Sequence, residues 1–156
     1  MQSDVVDSKR ITRVAVVEDS VTLRQCLEKM IQGAQGYKCV CTCGTTQEAM
    51  SEIPKAKLDV VMMDNHLPGE SGIICTARLR QKMPELQIII LTVYNDTKMV
   101  FQALKAGACG YVLKRADEKE ILAAIAEVRA GGAPMTSEIA RMLVRSVMEP
   151  PSASLT

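Results

Sequence analysis

Five short apolar runs recur along this chain, and each is followed by a segment with helical periodicity. They are Ile11–Val17 (ITRVAVV), Tyr37–Cys43 (YKCVCTC), Val60–Met63 (VVMM, running into Asp64), Gln87–Thr92 (QIIILT) and Gly110–Leu113 (GYVL). Runs this short, bounded by turn residues, suit β-strands. VVMM and QIIILT show no polar alternation, so they predict strands covered on both faces. Strands that alternate with amphipathic helices predict an α/β fold. Its core is a doubly wound, five-stranded parallel sheet with right-handed crossovers.

The intervening segments carry helix signals. Ser20 stands where a helix cap is needed, ahead of Leu23, Leu27 and Met30, and Gly33 and Gly36 end that helix. Thr45 and Glu48 have capping-box spacing before Ala49, Met50 and Ile53, and Pro54 stops the second helix. The third helix follows Gly69 and runs to Lys82. Asn95 is the expected cap of the fourth, with Met99, Val100, Ala103 and Leu104 inward and Gly107 at its end. Asp117 and Glu120 repeat the capping box before Ile121, Leu122, Ile125 and Val128, and Gly131 and Gly132 end the fifth helix. A sixth amphipathic helix is expected over Thr136–Met148, with Ile139, Met142, Leu143 and Val147 on one side. The division is then a disordered tail over 1–10, a domain over 11–132, a linker helix over 133–148 and a flexible segment over 149–156 that contains Pro150 and Pro151.

Composition narrows the classes. A net charge of +1 lacks the basic excess of a nucleic-acid-binding surface. No apolar stretch approaches the roughly 18 residues of a membrane span, and the N-terminus has no signal-peptide core. A cytoplasmic location without membrane contact is expected. The six cysteines are therefore expected as free thiols. Cys39, Cys41 and Cys43 alternate along the second strand, which predicts that all three share one face and pack there. They lack the second ligand segment a metal site needs.

In a parallel sheet the carboxyl ends of the strands meet at one edge, where ligands bind. The residues delivered there are Glu18 and Asp19, Asp64, Thr92 and Lys114. Two carboxylates about 4 Å apart repel by about 4 kcal/mol at an effective dielectric of about 20. The cluster therefore calls for a cation or raised pKa values. All-oxygen ligation favours Mg²⁺. Lys114 offers a point charge for a phosphoryl oxygen, and Thr92 offers a hydroxyl. A carboxylate nucleophile, a Mg²⁺ site, a lysine and a hydroxyl match phosphoryl transfer to an aspartate. Each residue alone also has a plain structural reading as a helix cap, a surface charge or a strand end.

Four segments carry a resemblance: VVEDS at Val16–Ser20, DNHLPGESG at Asp64–Gly72, LTVYND at Leu91–Asp96 and GYVLK at Gly110–Lys114. In this order and spacing they resemble the receiver domain of bacterial two-component response regulators, over Ile11–Gly132. GYVLK, the AGG end of the fifth helix and PMTSEIARMLV are similar to the NarL/FixJ (LuxR-type) subfamily. The resemblance implies a flavodoxin/CheY-like sheet of order 2-1-3-4-5 and a phosphorylation-dependent signalling switch rather than a metabolic enzyme.

By the same resemblance Asp64 is the phosphoacceptor. Mg²⁺ is held by Asp19 and Asp64, by Glu18 mainly through water, and by the backbone carbonyl of His66. Thr92 and Lys114 contact the phosphoryl oxygens, and Thr92 with Tyr111 forms the switch pair. Further implications are a sensor histidine kinase or acetyl phosphate as donor, a homodimer on phosphorylation, and transcription regulation through a DNA-binding domain. That domain would begin near Ser154–Thr156, so it has either been removed or was never there. Two positions depart from the pattern. Glu18 replaces the commoner Asp, and Arg115 stands where many receivers have Pro, which leaves the geometry of the peptide after Lys114 open.

Other classes fit less well. A phosphatase of the haloacid-dehalogenase type would carry a second Asp two positions after Asp64, where this chain has His66. A flavodoxin-like cofactor module would want a phosphate loop where Glu18 and Asp19 stand. A degenerate scaffold would have lost part of the acidic set. His66 could serve as a base, or sit at the rim with no chemistry of its own.

Overall fold

A computed structural model describes residues 10–148. The expectations for the two terminal tails therefore fall almost wholly outside the described residues. The element order is β1 (Thr12–Val17), α1 (Val21–Gly33), β2 (Tyr37–Cys43), α2 (Thr46–Glu52), β3 (Val60–Asp64), α3 (Gly72–Lys82), β4 (Gln87–Thr92), α4 (Thr97–Lys105), β5 (Gly110–Leu113), α5 (Glu118–Arg129) and α6 (Ser137–Met148). The five strands form one parallel sheet in the order β2-β1-β3-β4-β5. The expected fold is observed.

Alternate residues of the buried strands feed two separate cores. Val60 and Met62 join Val14, Val16, Leu27, Ile31 and the inner side of α5. Val61 and Met63 join Ala15, Val17, Leu79, Ile88, Ile90, Val100 and Tyr111 on the opposite face. Each fully buried aliphatic side chain contributes about 1.5–3 kcal/mol. These two layers fix the strand ends.

The caps follow local chemistry. Ser20 accepts from the Leu23 amide at 3.3 Å. The Asp117–Glu120 capping box closes in both directions, at 2.9 and 3.2 Å. At α2 only half a box forms: Thr45 accepts from the Glu48 amide, while the Glu48 carboxylate turns to the Gly44 amide. Some expectations need correction. Asp96, not Asn95, caps α4, accepting from the Lys98 amide at 3.1 Å, because the Asn95 side chain is engaged with Glu138. Ala124 rather than Leu122 completes the buried face of α5.

A further correction concerns the cysteines Cys39, Cys41 and Cys43, which do not all share a face. A bulge places Cys39 opposite Val14 and Cys41 opposite Ala15, so Val40 is an extra residue on β2. A one-residue slip inverts the facing pattern. Cys39 consequently packs on the α1–α5 side and Cys41 and Cys43 on the other. All six cysteines are free thiols.

α6 lies against α4 through Ile139, Met142 and Leu143. Its expected fourth inward residue, Val147, is instead 82% exposed, because the last turn has no core beneath it. No described helix is long and apolar enough to cross a membrane.

Candidate functional site

β1 and β3 are neighbours, so their ends deliver Glu18 and Asp64 side by side. Glu18 is 1% exposed and Asp64 2% exposed, while Asp19 faces solvent. One carboxylate oxygen from each of the three lies within 4.8 Å of the others. The loop after β1 is held from both sides. Glu18 Oε2 accepts from the Ser20 amide at 2.9 Å, and Arg24 Nη1 donates to the Glu18 carbonyl at 2.7 Å.

Lys114 reaches the cluster from the end of β5. Its Nζ is 2.8 Å from Glu18 Oε1 and 3.2 Å from Asp64 Oδ2. Apart from this ammonium, those two buried oxygens have no hydrogen-bond partner. Burial, with the nearby Asp64 charge adding to it, raises the Glu18 pKa against the pull of Lys114 and the Ser20 amide. Burial draws the Lys114 ammonium down, but the hydrogen bond to Glu18 and the Asp64 charge outweigh it and hold it above its ordinary value.

Asp64 Oδ1 accepts from the His66 amide at 3.0 Å, which orients the carboxylate and places the following backbone at the site. The adjacent Asn65 accepts from the Ile73 amide, and its carbonyl accepts from Gly72 N, tying α3 to the end of β3. That approach requires glycine. A Cβ at Gly72 would stand 2.0 Å from the Asp64 carbonyl oxygen.

Thr92, fully buried, ends β4; its carbonyl accepts from the Lys114 amide at 2.7 Å and its hydroxyl from the Tyr94 amide at 3.3 Å. Tyr111 is also fully buried, and its hydroxyl donates to the Tyr94 carbonyl at 3.0 Å. The exposed His66 and Tyr94 rings, two residues past Asp64 and Thr92 respectively, lie with centroids 5.7 Å apart. The Lys114–Arg115 peptide is trans, since no described peptide bond is cis.

The sequence-derived set of Glu18, Asp19, Asp64 and Lys114 thus comes together. Thr92 lies one strand away from Asp64, and Tyr111 contacts Thr92's neighbour Tyr94 rather than the carboxylates. Arg24, Asn65 and Gly72 were not singled out as site residues. Only Gly72 left a signal, as a break between strand and helix. The two orphaned oxygens and the exposed Asp19 fit a hard divalent cation with oxygen ligands and bound water.

Residues 14–126 match the response regulator receiver domain family. The chain belongs to that family. It is 31% identical over 133 residues to the oxygen regulatory protein NreC of Staphylococcus haemolyticus, covering 85% of this chain and 61% of that protein. The same regulator in Staphylococcus aureus matches equally. The chain therefore spans about three fifths of the length of these curated relatives. Among solved structures, a LuxR-family two-component response regulator from Aurantimonas sp. SI85-9A1 superposes with a TM-score of 0.84 at 31% identity. The match covers 88% of this chain and 98% of that one. The isolated receiver domain of RcsB from Salmonella enterica serovar Typhimurium, at 21% identity and a TM-score of 0.77 over 83% of this chain and 96% of that one, shares the fold. The family, its CheY-like sheet and the LuxR-type resemblance all agree with the sequence reading.

Proposed function

We propose that this receiver accepts a phosphoryl group on Asp64 and passes the change to an output surface. The observation that carries this reading is Lys114, which bridges two buried carboxylates whose oxygens are otherwise unpartnered. An ammonium there balances the cluster before reaction and is free to turn to a phosphoryl oxygen after it. Glu18, Asp19 and Asp64, with the His66 carbonyl, would hold Mg²⁺. When bound, it supplies the charge that neutralises the carboxylates and the transferring oxygens.

In the step itself an Asp64 carboxylate oxygen forms a new bond to phosphorus. The donor's phosphorus–nitrogen bond breaks if the donor is a histidine kinase, and the departing imidazole takes up a proton. With acetyl phosphate a phosphorus–oxygen bond breaks and acetate leaves. Lys114 then turns from Glu18 and Asp64 to the phosphoryl oxygens, and Thr92 donates its hydroxyl to them. Tyr94 loses the hydroxyl that its amide uses, and Tyr111, bonded to the Tyr94 carbonyl, is the next residue affected.

The reading includes a cytoplasmic setting, a sensor histidine kinase as donor and homodimer formation on phosphorylation. The output is transcriptional, through a DNA-binding domain outside this chain. The name of NreC, an oxygen regulatory protein, and the LuxR-family solved relative support that output. Intact-mass measurement after acetyl phosphate treatment tests the reading. One phosphoryl adduct should form with Mg²⁺, and none in EDTA or in Asp64→Asn. Undiminished labelling in either control rules the reading out.

A further inference from the structure

Glu138, in the first turn of α6, stands between two loops that leave the phosphoryl-binding edge. Its Oε2 lies 2.8 Å from Arg115 Nη2 and accepts from Asn95 Nδ2 at 3.1 Å. Arg115 directly follows Lys114, and Asn95 is three residues past Thr92. One carboxylate therefore ties both loops to the C-terminal helix. The Arg115 guanidinium, and then the Asn95 amide, hold the Glu138 carboxyl below its usual range, so it is charged at neutral pH.

The segment ahead of the helix is anchored differently. Tyr111 N donates to the Pro134 carbonyl at 3.0 Å, and Leu113 N donates to Thr136 Oγ1 at 3.0 Å. Met135 makes an isolated parallel bridge with Tyr111, so the segment entering α6 runs along the outer edge of β5. A Cβ at Gly110 would lie 2.8 Å from Pro134, which shows how close that approach is. These bonds, both donated by β5 amides, do not depend on where Lys114 or Thr92 points. The Glu138 contacts do, because they start from the loops that those residues end.

We infer that Glu138, Arg115 and Asn95 form a clasp that holds α6 on α4 while Asp64 is unmodified and that opens when Asp64 is phosphorylated. The inference rests on the reading of Asp64 as phosphoacceptor. The route is local. The Thr92 hydroxyl accepts from the Tyr94 amide, and the Tyr94 carbonyl accepts from the Tyr111 hydroxyl. When Thr92 turns to a phosphoryl group, the 93–96 loop loses that internal bond and Asn95 moves off Glu138. When Lys114 turns with it, Arg115 changes its approach to the same carboxylate. α6 keeps its sheet-edge anchor, loses its side-chain clasp and swings from Ile139 outward. Arg115, where related receivers often have Pro, then has a role that Pro could not fill.

Amide hydrogen exchange of α6 tests this in wild type, Glu138→Gln and Arg115→Ala, with and without beryllofluoride plus Mg²⁺. Without ligand both variants should exchange about two- to fivefold faster than wild type at Ala140–Leu143, the range of an exposed ion pair. With beryllofluoride the wild type should rise to the variants' level, and the variants should change little. Unchanged α6 exchange in liganded wild type, while amides at 65–67 and 93–96 respond, would overturn the clasp. So would a Glu138→Gln protein that exchanges like wild type without ligand. Silence at 65–67 as well would instead count against the reading of Asp64 itself.

Discussion

Lys114 is the residue on which the charge balance of this molecule turns. Removing its ammonium leaves Glu18 Oε1 and Asp64 Oδ2 buried and unpaired. Lys114→Met should therefore lose up to about 3 kcal/mol in urea unfolding without Mg²⁺. Adding Asp64→Asn should recover part of that loss, and so should millimolar Mg²⁺, since either removes the same repulsion. If the single variant is as stable as wild type and indifferent to Mg²⁺, the ammonium does not balance the cluster. These residues were legible in the sequence because each is the first polar group after a buried strand, where topology leaves it one place to go. Glu138 was not. It lies 43 positions from Asn95, and nothing in the local pattern of either says they meet. Their contact depends on how α6 docks, which spacing within a helix does not encode.

At the scale of elements, strands and helices were readable and their edges less so. Asp96 replaced Asn95 as a cap because both residue types can cap, and the choice was made by a distant partner. The bulge at Val40 reversed the facing of Cys39, since strict alternation holds only while the register does. The seam between β3 and α3 carries the sharpest expectation. Gly72→Ala places a methyl against the Asp64 carbonyl, so α3 must shift and drag the Asp64 loop with it. The expected outcome is a stability loss of about 1–3 kcal/mol and a larger drop in acetyl phosphate labelling. Gly33→Ala, with nothing within 4 Å of its new methyl, is the control and should label normally. Equal labelling in both would show that the seam does not position Asp64.

The whole molecule couples this edge to its alkaline stability. Burial pushes the Tyr111 phenol up to about 12 from 10.0, and Lys114 is held above 10.5. Both protons leave the unfolded chain at lower pH than the folded one. For Tyr111 the stabilisation is complete below about pH 10 and is lost as pH rises toward 12; for Lys114 it is likewise lost as pH rises past its raised folded-state value. Raising the Tyr111 phenol from 10.0 to about 12 corresponds to about 3 kcal/mol. Tyr111→Phe should flatten the decline of unfolding free energy between pH 10 and 12. An unchanged slope would mean that the phenol is not buried as described.

Chemical trapping of the phosphoryl linkage tests the central claim most directly. Borohydride reduces an aspartyl phosphate to homoserine, and peptide mass mapping then locates the converted residue. After acetyl phosphate and Mg²⁺ treatment, homoserine is expected at position 64 alone, and nowhere when Mg²⁺ is withheld. Homoserine at Asp19 or another aspartate, or a phosphoryl adduct that yields no homoserine, would contradict Asp64 as the acceptor.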